Sequence, residues 1–536
     1  MVSDLQSGST DVSSPPPEEA HDQISGKREW YYYPDANAFY TTNRRGDWVT
    51  LNEPTTRKML ILGGLSDSLT KDELKEGIRL TEVDLELIDI KMERTVDYAG
   101  VVAGWKRGVH VINGSVVLVT SEMDLIQPVR AADDAEARPD GTCRGWPVLG
   151  GQFERWLSSR GWVQSRETAW AKLAEGEAPS AGMRPEDDGH DQRPYLFAWL
   201  ARWYGAALAG RVTLGHGVVF SGNTGCGKTF FVQVLERIFG GRSAQPYKYL
   251  IGGQFNADLI GASVLTIDDE ASKTDMKSRK DLGARWKQFV AVPKIRIEGK
   301  GDNAVILSLL NRLIFCTNLT PDNLQVLPPP SEDLVDPDGK SGKIMLFKFY
   351  AHGWEGPFGS ISQQEAFWRR IMGELPHFLW WLLHEFTLPA DLVDERFGVK
   401  PWMHPEILEA LEELSPWQRI LGLIDRELFK PTGRDRWVVT SESLHTLLTN
   451  EDSALPGADK ASLKSSYMHL GEISQKRPLR CVDLRGMARG KVRAFALFRE
   501  GYDFKTDECR AWLKSELQSM IAAKGGAAVQ AELGEE

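Results

Sequence analysis

An α/β core on a parallel sheet, with an α+β region before it and helices followed by a basic ribbon after it, is what the sequence predicts. Three observations carry this. The first is the apolar run Val218-Val219-Phe220-Ser221 leading into Gly222-Asn223-Thr224-Gly225-Cys226-Gly227-Lys228-Thr229. Behind it Phe230, Phe231, Val234, Leu235, Ile238 and Phe239 recur at helical spacing. The second is Val264 to Ile267, a short run that delivers Asp268, Asp269 and Glu270 to its C-terminal tip. The third is Leu313-Ile314-Phe315-Cys316-Thr317-Asn318, a buried parallel strand by composition. Ligands in open α/β sheets bind at such strand tips.

Each tip has its own chemistry. Gly222 to Thr229 is an uninterrupted G-x-x-x-x-G-K-T. Its glycines at 222, 225 and 227 let the backbone amides curl around a phosphate, Lys228 reaches the β- and γ-phosphates, and the Thr229 hydroxyl can ligate Mg²⁺. ATP and Mg²⁺ are therefore the expected ligands, with Asn223, Thr224 and Cys226 completing the loop. Of the acids at the second tip, one should hold the metal and another should polarise the attacking water. Asp269 is assigned to the metal and Glu270 to the water, with Asp268 competing because it directly follows the apolar run. Asn318 is placed to sense the γ-phosphate.

These residues resemble the superfamily 3 helicases, in particular phage and plasmid primase-helicases related to the poxvirus type. The resemblance rests on Gly222 to Thr229, on Phe255-Asn256 to Leu259 leading into Asp269-Glu270, on Lys294 to Leu307, and on Thr317-Asn318. It covers residues 200 to 390 well and the flanks loosely. It implies an AAA+-like P-loop ATPase that forms a ring, usually a hexamer, threads single-stranded DNA and hydrolyses ATP between neighbours. Replication of a phage, plasmid or integrated element is the implied setting, with single-stranded and forked DNA as partners and room for a separate primase or polymerase.

The family completes its site with an arginine from the neighbouring subunit, because the transferring phosphate needs a positive charge. Between Asn318 and Ala351 this chain has none. The cations there are Lys340, Lys343 and Lys348, and Arg285, Arg312, Arg369 and Arg370 are candidates from elsewhere.

Between the second and third tips lies a further signal. Lys294, Arg296 and Glu298 alternate with Ile295 and Ile297, Gly299 to Asn303 makes a turn, and Ala304 to Leu307 returns. Lys300 sits at the tip between two glycines, and Arg279, Lys280, Arg285 and Lys287 lie upstream. A solvated surface hairpin is the alternative reading, and the position between the second and third tips favours a functional one. By resemblance it enters the channel, where Lys294, Arg296 and above all Lys300 would hold successive phosphates without reading sequence.

The flanks follow from composition. A chain of 536 residues, 42% hydrophobic and 26% charged, has room for about three or four domains. Five cysteines without C-x-x-C pairing suggest neither a disulfide framework nor a zinc site, and fit a reducing cytoplasm. A net charge of −11 does not exclude DNA binding, since a ring can be acidic outside and basic within. Residues 1–27, rich in Ser, Pro and acids, are expected to be a disordered tail. No signal peptide or membrane span is expected; Phe378 to Leu383 is too short and reads as core helix.

Residues 28–140 form an accessory α+β region, in which Asn113-Gly114 between β-branched runs marks a hairpin. Its acidic segment Leu80 to Val96 reads as a helix with a solvated face rather than a primase metal site. Residues 141–209 read as helical; the resemblance implies a collar between subunits, and packing within one subunit is the alternative. The ATPase spans 210–390, a linker 391–402, a winged-helix-like DNA-binding domain 403–505, and a helix with a frayed tail 506–536. Between Ser474 and Arg499 the only acid is Asp483, so Arg485, Arg489, Lys491 and Arg493 are the expected DNA contacts there.

The function this reading points to is an ATP-dependent DNA helicase. Two alternatives stay open: a remodelling or loading ATPase that does not unwind, and a DNA-binding initiator switched by nucleotide with little turnover.

Overall fold

The computed structural model describes residues 29–532, apart from 78, 159–189, 269–275, 293, 302, 325, 329–341, 351–359, 414–415, 449–462, 478, 485–493 and 504. The tail expected at 1–27 lies outside the described residues. The chain divides into two compact units, Met1–Leu408 and Glu409–Glu536.

The first unit opens with an antiparallel sheet of β1 (Trp30–Tyr33), β2 (Ala38–Thr42) and β3 (Trp48–Leu51). Helices α1 (Glu53–Leu62) and α2 (Glu82–Glu93) cover it, burying Trp30, Phe39, Leu60, Val83, Leu87 and Ile90 together. The acids of α2 are engaged locally. Asp84 and Thr81 form a capping box, whose backbone and hydroxyl bonds hold the Asp84 carboxyl down to about 2. Glu82 accepts from the Ser66 amide, and Glu86 and Asp89 pair with Arg94. A second small sheet has β4 (Tyr98–Gly100) beside β6 (Ser115–Val119), which pairs with β5 (Gly108–Ile112). Its hairpin turns at Asn113 and Gly114, with φ of 53° and 92°, the left-handed pair that the dipeptide foretold.

Helices α3 (Pro147–Leu157) and α4 (Arg193–Leu208) lead into the core. There β7 (Gly217–Gly222), α5 (Lys228–Ile238), β8 (Ser243–Ala244), β9 (Val264–Ile267), α6 (Met276–Ala291) and a hairpin of β10 (Ile295–Ile297) and β11 (Val305–Leu307) follow in order. Then come β12 (Arg312–Asn318), β13 (Ile344–Phe349) and α7 (Ile361–His384). The core sheet has five parallel strands in the order β13-β7-β12-β9-β8. Val218, Phe220, Ile314, Cys316, Met345 and Phe347 are buried in one cluster with Phe153, Trp156, Trp199, Trp203, Phe378 and Leu379 from α3, α4 and α7. Among the described residues no helix is long and apolar enough to cross a membrane.

The second unit contains α8 (Pro416–Ile424), β14 (Arg436–Thr440), α9 (Ser441–Leu448), α10 (Leu463–Lys476), β15 (Cys481–Asp483), β16 (Ala494–Phe498) and α11 (Asp507–Glu532). Its sheet is antiparallel, in the order β14-β16-β15. The central strand β16 is buried on both faces. Phe495 and Leu497 join Ile420, Leu444 and Ile473, while Ala494, Ala496 and Phe498 join Cys509, Leu513 and Leu517. The basic ribbon expected here is joined by β14, which makes it a three-stranded sheet.

Candidate functional site

The glycine-rich loop grows out of β7, which is buried along its whole length between β13 and β12. Asn223, Thr224 and Gly225 are exposed above the sheet. Gly225 and Gly227 have φ of 80° and 96°, a region that disfavours any side chain. A Cβ on Gly222 would stand 2.3 Å from the Phe349 carbonyl oxygen, and one on Gly227 would stand 2.5 Å from Trp156 Nε1. The loop is therefore glycine by conformation at two positions and by crowding at two.

Gly227 is also the N-cap of α5, and it offers no side-chain cap to the first-turn amides. That helix end has the positive partial charge and the donors that a phosphate uses. Thr229 is exposed on the first turn. Lys228 is buried, and its Nζ donates to the carbonyls of Gly222 at 2.9 Å and Asn223 at 3.0 Å, and to Asn318 Oδ1 at 3.1 Å. All three acceptors are neutral oxygens, so the ammonium spans the loop and the tip of β12 with no carboxylate among these partners.

Asp268 is exposed immediately after β9, on the far side of β12 from the loop strand. Asp269 and Glu270 lie outside the described residues. An exposed hydroxyl at Thr229 and a carboxylate at the tip of β9 are hard oxygen donors of the kind Mg²⁺ takes.

Trp156, which spacing did not single out, forms the floor of the loop. It packs against Phe230, Phe231 and Phe349 as well as Gly227. Its helix is anchored at the other end by Glu374, whose buried carboxylate accepts from the Leu149 amide at 2.8 Å and from Arg370 at 2.7 Å.

The β10–β11 hairpin forms where alternation placed it, with Ile295, Ile297, Val305 and Leu307 buried and Arg296 69% exposed. Lys294 and Lys300 are exposed, and Gly301 turns the tip with φ of 92°. Asn256 holds its base. This side chain, 1% exposed, donates to the Arg296 carbonyl at 3.0 Å and accepts from the Glu298 amide at 2.8 Å, while its own amide donates to the Glu298 carbonyl at 3.1 Å. Arg485, Arg489, Lys491 and Arg493 lie outside the described residues, in the stretch joining β15 to β16.

Residues 220–327 match a family of unknown function, DUF5906. The matched stretch runs from β7 through the loop, β9 and the hairpin to just past Asn318. Among solved structures, the apo NrS-1 C-terminal region is similar at 12% identity and a TM-score of 0.47, over 88% of this chain and 96% of that one. Its A form is similar at 11% identity and 0.46 over the same shares. Comparison with curated proteins returns no match.

The cations considered for a trans-acting role separate clearly. Arg312 is fully buried, donates to Thr213 and Leu214 carbonyls, and is pushed down to about 9 by burial and by nearby Arg202. Arg370 pairs with Glu374 and Glu136, and Lys348 with Glu406. Arg285 donates to the Gly253 carbonyl at 2.8 Å and lies over the Tyr249 ring. These four have structural partners within their own chain. Arg369 is exposed on α7 and Lys343 is half-buried before β13; Lys340 lies outside the described residues.

Proposed function

We propose that this chain is an ATP-dependent motor of the superfamily 3 helicase type, which moves along single-stranded DNA as a ring and separates duplex during replication of a phage, plasmid or integrated element. The observation that carries the reading is the Lys228–Asn318 bond between the glycine-rich loop and the neighbouring strand tip. It joins the residue that would grip the γ-phosphate to the residue that would sense its loss. Support for an AAA+-like core comes from the strand order, in which β12 separates the loop strand from the acid-bearing β9.

In this mechanism Lys228 would exchange the Gly222 and Asn223 carbonyls for phosphate oxygens, and the uncapped amides of α5 would orient them. Mg²⁺, when bound to Thr229 and to Asp269 or Asp268, would neutralise charge on the β- and γ-oxygens. Glu270 would orient the water. Asn318 would change partner as the γ-phosphate leaves, and β12 would carry that change back to Arg312, a few residues after the hairpin strand β11. Lys300 at the hairpin tip would move with it along the DNA backbone, and Arg369 is the exposed arginine left to act on a neighbouring subunit's site.

For the second unit, the order α8-β14-α9-α10-β15-β16 with sheet order β14-β16-β15 supports a winged helix. Arg485, Arg489, Lys491 and Arg493 would then lie in its wing and hold DNA phosphates. Unwinding of a forked duplex tests the whole reading. Wild type should unwind with ATP, Glu270→Gln should bind nucleotide without turnover, and Lys300→Ala should hydrolyse ATP without unwinding. Hydrolysis that DNA does not stimulate, with no unwinding, would favour the remodelling ATPase instead.

A further inference from the structure

The tip of the β10–β11 hairpin touches the N-terminal region at one charged point. Asp35, in the turn between β1 and β2, accepts from the Asn303 backbone amide at 2.8 Å and from Asn303 Nδ2 at 2.7 Å. The turn that presents it is closed by the Asn37 amide on the Pro34 carbonyl at 2.9 Å. Each carboxylate oxygen takes one donor, so Asn303 acts as a two-pronged fork for an anion. That fork is exposed, three residues beyond Lys300 and two beyond the Gly301 turn.

We infer that Asn303 is a further phosphate contact on the hairpin, and that Asp35 occupies its donors until a DNA phosphate displaces it. This rests on the reading of the hairpin as the DNA-holding element. A phosphodiester presents two anionic oxygens much as a carboxylate does, and backbone amides with Asn side chains are ordinary phosphate donors. The base of the hairpin stays attached when the tip lets go. Asn113 Nδ2 donates to Ser308 Oγ at 3.1 Å and Trp105 Nε1 to the Ser308 carbonyl at 2.7 Å, so the N-terminal region is fixed beside β11 while Asp35 competes at the tip. An anion of the protein held at Asn303 also lowers the attraction of the empty hairpin for stray polyanions.

The test is binding of a fluorescent oligothymidylate by the full chain, comparing wild type, Asp35→Ala, Asp35→Asn, Asn303→Ala, Lys300→Ala and Asp35→Ala/Asn303→Ala. Losing a competing charged partner should raise affinity about tenfold in both Asp35 variants; Asn303→Ala loses the same donor toward Asp35 and toward phosphate, so it should bind close to wild type and about tenfold more weakly than Asp35→Ala. The double variant should behave like Asn303→Ala. Amide exchange at the hairpin tip, measured without DNA, should quicken in Asp35→Ala. If Lys300→Ala weakens binding but the Asp35 variants bind as wild type does, the hairpin reading stands and the latch is overturned. If Lys300→Ala binds as wild type does, the hairpin reading fails and the latch with it.

Discussion

Replacing Asn256 with alanine separates the hairpin from the nucleotide site. The side chain makes two hydrogen bonds to β10 and the residue after it, at 3.0 and 2.8 Å, from a position 1% exposed. Truncation removes both and leaves the Arg296 carbonyl and the Glu298 amide facing a cavity that lacks partners. Each unsatisfied group costs about 1–3 kcal/mol, so the footing of the hairpin should weaken by about 3 kcal/mol, or roughly a hundredfold in its open fraction. None of the loop residues Gly222 to Thr229 is an Asn256 partner, so ATP turnover without DNA should stay within about twofold of wild type. Hydrogen exchange at Ile295–Ile297 and Val305–Leu307 should accelerate by roughly the same hundredfold, and stimulation by single-stranded DNA should be lost. Asn256→Asp is the companion. It can still accept from Glu298 but sets a carboxylate against the Arg296 carbonyl, and should exchange as fast or faster. Unchanged exchange in Asn256→Ala, or loss of DNA-free turnover with the hairpin protected, would refute this coupling.

Gly227→Ala should cost about 2–4 kcal/mol, because it combines a left-handed φ with a Cβ 2.5 Å from Trp156 Nε1. Urea unfolding measures that loss, and Trp156→Leu in the same chain should recover only the steric part. His216 is held at about 3, first by burial and then by the Arg312 guanidinium, against about 6.5 when unfolded. Its depressed value means that stability is complete above about pH 6.5 and falls as pH drops toward 3. At pH 5 the loss is about 2 kcal/mol, from 1.5 units at about 1.4 kcal/mol each. His216→Phe should lose about that much less than wild type between pH 7.5 and 5 in urea titrations. Equal losses would mean that the folded imidazole can be protonated.

The core was legible where local pattern carries the information. An apolar run ending in Gly222 to Thr229, and a second and third run ending in acids or Asn318, mark strands, because a parallel strand buried on both faces must be apolar throughout. The same logic applies to Ile344-Met345-Leu346-Phe347, the start of β13, but no candidate site residue at its tip draws attention to it. The strand β14 follows Gly433-Arg434-Asp435 and is only half-buried at its start, so its pattern is weak. Asn256 and Trp156 were illegible for another reason. Their partners lie far along the chain, Arg296 and Glu298 at separations of 40 and 42 residues, and no periodicity encodes such pairings. The meeting of Asp35 with Asn303, at a separation of 268, belongs to the same class.

The measurement that tests the central claim most directly is ATP hydrolysis by the purified chain with and without single-stranded DNA, for wild type, Lys228→Ala and Lys300→Ala. A translocating motor predicts that DNA raises the rate, that Lys228→Ala abolishes turnover, and that Lys300→Ala removes only the response to DNA. A measurable rate indifferent to DNA would contradict the hairpin's role and leave a remodelling ATPase. Absence of turnover at every protein concentration would contradict the motor itself and leave a nucleotide-switched DNA-binding protein.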